Sequence, residues 1–119
     1  MFERWVSDPA YPTLFRTNRP VAVHAAEALP STAHVRADEL PLWVRSLGLR
    51  VEAHMLARQI AWIRRSDGGW LAAVLMPATS SNGKSRLTVP LLLDPQLITT
   101  DLSVVEPYEE TEPDNREFD

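Results

Sequence analysis

Cysteine is absent from all 119 residues, which excludes a disulfide framework, thiolate chemistry and any Cys-ligated zinc. Lysine is nearly absent: eleven arginines accompany the single Lys84. Together with abundant alanine, leucine and proline, that bias points to a GC-rich coding genome, a bacterium or its phage, on codon usage alone. Long apolar runs are missing too. A stretch such as 70–78 falls far short of the roughly 20 residues that cross a bilayer. The opening Met1-Phe2-Glu3-Arg4-Trp5 lacks the charged-then-apolar layout of a signal peptide. A soluble, cytoplasmic protein is the expectation.

The length fits one domain, and a chain of this size buries enough surface to fold without staples. Its formal charge of −4 conceals an asymmetry. Residues 106–119 hold seven acids and one base, a net −6, whereas residues 1–105 hold eleven bases and nine acids, a net +2. Dense like charge, two prolines and little apolar content predict a disordered acidic tail. The domain proper is then 1–105, mildly basic.

Glycine is scarce as well, and of the four present two stand in turn-forming dipeptides, Asp67-Gly68 and Asn82-Gly83. Each lies between apolar-rich runs, and both suit a two-residue type I′ loop. They predict strands at about 58–65, 70–76 and 87–93. Centring the first turn on Asp67-Gly68 sets Ile63 opposite Ala72 and Arg65 opposite Trp70. Centring the second on Asn82-Gly83 sets Met76 opposite Val89, Val74 opposite Leu91 and Ala72 opposite Leu93. One face then carries Ile63, Trp70, Val74, Met76, Leu87, Val89, Leu91 and Leu93; the other carries Ile60, Trp62, Leu71, Leu75 and Leu92. Two apolar faces call for a curled, barrel-like sheet covered on both sides. Pro90 favours an edge position for its strand, and 97–100 with 104–105 offers a final one.

Elsewhere the pattern is less regular. Residues 1–20 read as a loop-rich segment pinned to the core by Trp5, Tyr11 and Phe15, and 21–29 suits strand or helix. A helix is expected over 39–47, with Asp38 as cap, Pro41 in its first turn, a stripe of Leu40, Val44 and Leu47, and Gly48 as its stop. Residues 49–57 fit helix or strand. The whole reads as an α+β domain: a small curled antiparallel meander of at least three strands, with one short flanking helix.

The sharpest motif is Ala78-Thr79-Ser80-Ser81-Asn82-Gly83-Lys84-Ser85, which imitates a phosphate loop. Such a loop must open a helix whose amides face the phosphates. Here Arg86-Leu87-Thr88-Val89-Pro90 follows, rich in β-formers, and Asp94 comes too soon for a crossover helix. The hairpin turn is the better reading. His24, His34 and His54 have no ligand spacing, and His24 with Glu27 reads as a surface pair rather than an acid–base dyad. No cofactor or metal is expected, and no enzyme class stands out.

Two binding readings remain. The first is a non-catalytic adaptor module acting through protein contacts, by an edge strand (which also permits homo-oligomers) and by a tail motif of Tyr108, Glu109, Glu110 and Phe118. The second is nucleic-acid binding or regulation by Arg58, Arg64, Arg65, Trp70, Lys84 and Arg86, with the acidic tail as competing polyanion. A nucleotide-dependent enzyme using Gly83, Lys84 and Ser85 comes third.

Overall fold

A computed structural model describes residues 1–31 and 39–105. Five antiparallel strands form one sheet: β1 (Leu14–Val23), β2 (Met55–Arg64), β3 (Trp70–Thr79), β4 (Arg86–Leu93) and β5 (Ile98–Thr99). The order is β4-β3-β2-β1-β5. Two short helices, α1 (Ala25–Ala28) and α2 (Leu42–Leu47), lie between β1 and β2, and single 3-10 turns occupy Pro95–Leu97 and Leu102–Val104. The expected α+β meander is present, extended beyond β2 by β1 and β5, so that β4 remains an edge.

Chain connectivity makes the sheet curl. Leu93 closes β4 at one edge, and Ile98 opens β5 at the other. Five residue steps that include a 3-10 turn reach only about 12–16 Å. Five flat strands would measure about 19 Å from edge to edge. The edges must therefore approach, and Pro95–Leu97 crosses the concavity between them. That inner face holds the main core: Val21, Val23, Ala57, Ala72, Val74, Met76 and Leu93, closed by Ala25, Ala28 and Leu29 around α1 and by Leu97 and Ile98. Fully burying a Val or Met side chain there contributes about 1.5–3 kcal/mol. A smaller cluster of Ala61, Ile63 and Ala73 lies on the outer face under Phe2 and Leu14.

The second hairpin has the expected register, with Met76↔Val89, Val74↔Leu91 and Ala72↔Leu93. The first does not. Arg64, not Arg65, faces Trp70; Ile63 faces Leu71, and Ala61 faces Ala73. Among the described residues only Gly68 (φ 92°) and Gly83 (φ 75°) have positive φ, so neither turn is type I′, which needs two such residues. Around Asp67 the loop holds three residues between the paired Arg65 and Gly69, with Gly68 taking the left-handed position. An odd loop length moves the register by one. The second loop spans four residues between Ser80 and Ser85 and stays symmetric about Asn82-Gly83, so its register survives the wrong turn type.

A bulge compounds the shift. Gln59 pairs with Val74 and Ala61 with Ala73, leaving Ile60 as an extra residue. The shifted hairpin register sets Trp62 opposite Ala72, so Trp62 joins the inner core and Ile63 the outer cluster, the reverse of the expected faces. The bulge brings Gln59 instead of Ile60 opposite Val74.

Other expectations change as well. Residues 14–20 are strand, not loop; Tyr11 is exposed, and Trp5 is half-exposed, its Nε1 donating to Thr13 Oγ1 at 3.2 Å. The helix starts at Leu42 with Pro41 at its N-cap position, and none of its residues is buried. Asp38 and His34 lie outside the described residues. Residues 49–54 are neither helix nor strand: Leu49 forms a bridge to Ser80, and β2 begins at Met55. Residues 102–104 form a 3-10 turn instead of strand. Pro90 does lie on an edge strand.

Candidate functional site

The bulge and the shifted register together build a feature at the β2–β3 hairpin end of the inner face. Phe15 pairs across the sheet with Trp62, and its ring lies 5.5 Å from that of Trp70, tilted by 55°. These three aromatics and Pro95 line an open cleft of about 510 Å³. Phe15 is 44% exposed, and Trp62 and Trp70 are partly so. The cleft is the uncovered continuation of the core face, because α1 and Pro95–Leu97 roof only its other half.

Two arginines border it. The guanidinium of Arg64 lies 4.8 Å from the Trp70 ring centre, and that of Arg19 lies 5.8 Å from Trp62. Arg19 is held from beneath: its Nε donates to Gln59 Oε1 at 2.8 Å, while Gln59 Nε2 donates to the Ala61 carbonyl at 3.2 Å. Gln59 is completely buried. A buried amide is retained only when its polar atoms are satisfied; β1 supplies one partner, Arg19, and the bulged strand the other, the Ala61 carbonyl. Among the described residues neither arginine has an acid within ion-pair distance. The neighbouring Asp94 is turned to its own chain and accepts the Gln96 N–H at 2.9 Å.

The residues singled out from sequence do not form one surface. Arg64 and Trp70 meet, as an arginine–indole pair. Arg65 is instead committed to Asp67, through Nε at 3.2 Å and a terminal nitrogen at 2.7 Å. Asp67 also accepts the Gly69 N–H at 3.0 Å, and that bond first, then Arg65, holds its carboxyl below the ordinary value. Arg58 lies within β2 rather than at its start, opposite Leu75 and Pro20 and hydrogen-bonded to Asn18 at 2.6 Å. Lys84 lies in the β3–β4 turn and Arg86 opens β4, about 30 Å away along β3. Tyr108, Glu109, Glu110 and Phe118 lie outside the described residues.

Phe15, Arg19, Gln59 and Trp62 were missed as site residues. The period-two set Phe15, Thr17, Arg19, Val21 and Val23 was the available signal for β1. Pro20 and the polar 16–19 obscured it.

The remaining motifs resolve simply. Residues 80–85 form the β3–β4 turn and open no helix. His24 packs edge-on against His54 at 4.8 Å, while Glu27 is exposed. Among the described residues no three His, Asp or Glu side chains converge as metal ligands. No helix among them is long and apolar enough to cross a membrane. Comparison with protein-family models, curated proteins and solved structures yields no match.

Proposed function

We propose that this chain is a non-catalytic binding module whose open cleft takes single-stranded nucleic acid. One observation carries the reading: Phe15, Trp62 and Trp70 converge on one exposed face between Arg19 and Arg64, two cations with no acidic partner among the described residues. Stacking on an aromatic side chain contributes about 1–3 kcal/mol per base and tolerates any sequence, while arginines meet the phosphates. A duplex keeps its bases stacked on one another and offers no free face to such a platform. The preference for arginine over lysine supports a GC-rich bacterial or phage source, and a cytoplasmic setting goes with it in this reading.

The test is a fluorescence titration of the full chain with a mixed-sequence single-stranded oligonucleotide and with its duplex, across a salt series. The reading expects quenching by the single strand, weaker binding as salt rises, and loss of both in Trp70→Ala. Equal binding of duplex and single strand, or quenching unchanged by Trp70→Ala, would overturn it.

A protein-adaptor role is the second reading, favoured by the exposed Leu42, Trp43, Leu47 and Leu49 on and beside α2. The free edge of β4 is its other surface, and the route to a homo-oligomer. That reading expects pull-down of a partner that is lost with a charge placed at Trp43.

A further inference from the structure

The opposite end of the sheet carries a second surface, independent of the aromatic cleft. Main-chain hydrogen bonds tie the end of α2 to the β3–β4 turn: Asn82 N–H to Ser46 O at 2.9 Å, Ser81 N–H to Gly48 O at 3.0 Å and Arg50 N–H to Thr79 O at 2.9 Å. This leaves two adjoining depressions, of about 210 and 130 Å³, which share Ala78 and Thr79 in their walls. The first is bordered by Arg50, Glu52 and Val105; the second by Leu47, Leu49, Arg86 and Leu87. The three leucines are exposed around it. Arg50 pairs with Glu52 at 2.9 Å. Lys84 and Arg86 have no acid within ion-pair distance among the described residues. The groove is thus apolar along its floor and basic at its far end.

We infer that residues 106–119 of this same chain occupy that groove, with Tyr108 on its apolar floor and the acids along Lys84 and Arg86. Three observations select this occupant. The described chain ends at Val105, in the wall of the first depression. Tyr108 is three residues further on, a reach of about 10 Å. The segment's net −6 complements the unpaired cations. Tethering removes most of the association cost, since an attached segment is present at an effective concentration of about millimolar.

The absence of cysteine provides a clean test. Thr111→Cys in the full chain accepts a single nitroxide spin label, and amide resonances then report which surface the segment visits. The expected result is strong broadening at Leu49, Arg50, Arg86 and Leu87. Adding Lys84→Glu with Arg86→Glu, exposed residues of the turn and of the first position of β4, relieves it while resonances of the sheet core stay in place. Broadening spread evenly over the surface, or concentrated at Trp62 and Trp70, overturns the assignment. Broadening seen only between labelled and unlabelled chains in a mixed sample overturns it in favour of a second copy.

Discussion

One inner face of one sheet is built in two ways. Its sealed half uses Val21, Val23, Ala57, Val74 and Met76 under α1 and the Pro95–Leu97 crossing, all fully buried. Its open half uses Phe15, Trp62 and Trp70, flanked by Arg19 and Arg64. Aliphatic side chains in the open half would offer water only apolar surface. Aromatics there accept a guanidinium on the ring face, an attraction of about 0.5–1 kcal/mol at exposed sites, and so can stay both ordered and accessible. The difference separates residues that hold the fold from residues that are free to bind.

Substitutions can break that division. The largest expected loss is Met76→Ala, about 2–5 kcal/mol from lost transfer energy and a cavity, measured as a lowered denaturant midpoint at constant slope. Gln59→Leu comes next. It strands Arg19 and the Ala61 carbonyl, and costs about 1–3 kcal/mol together with weakened single-strand binding. A variant equal to the parent in both would show that the bulge network does not position Arg19.

Gly68→Ala forces a side chain into positive φ, at about 1–2 kcal/mol. Gly83→Ala, with nothing within 4 Å of the added Cβ, bears the same backbone cost at the other turn. Equal thermal shifts are expected for the two; a much larger shift for either would mean that turn carries more than its φ requirement. Trp70→Ala reverses the pattern of Met76→Ala: a loss of stability below about 2 kcal/mol, since the ring is only partly buried, with loss of binding.

The smallest effect concerns Asp67. A carboxylate held below its ordinary value of 3.8 stabilises the fold above that value and loses the contribution as pH falls through the folded-state pKa. Protection of the Gly69 amide from exchange should be flat from neutral pH to about 4 and decline only below that. Asp67→Asn should remove this step.

The sequence made some of this legible and concealed the rest for definable reasons. The Val74↔Leu91 register was readable because the loop around Asn82-Gly83 is symmetric, whatever its turn type. Arg64 opposite Trp70 was not, because one left-handed glycine in a three-residue loop moves every partner by one. The same shift puts Trp62 on the face opposite to the expected one, and no composition rule announces the extra Ile60, which brings Gln59 opposite Val74. β1 is half visible: Val21-Ala22-Val23 suits a strand, but Pro20 and the arginines at 16 and 19 read as loop, although they pair along β2 with Arg58, Ala61 and Gln59. The site therefore needed the structure, since it is made by a bulge and a register rather than by a motif.

The most direct measurement is the salt dependence of single-strand affinity for the full chain, compared with Arg19→Ala/Arg64→Ala. If the open cleft is the site, the double variant binds more weakly and its log–log salt slope falls by about 0.7 for each lost phosphate contact. An unchanged affinity and slope, or a comparable loss in Lys84→Glu/Arg86→Glu alone, would contradict the account.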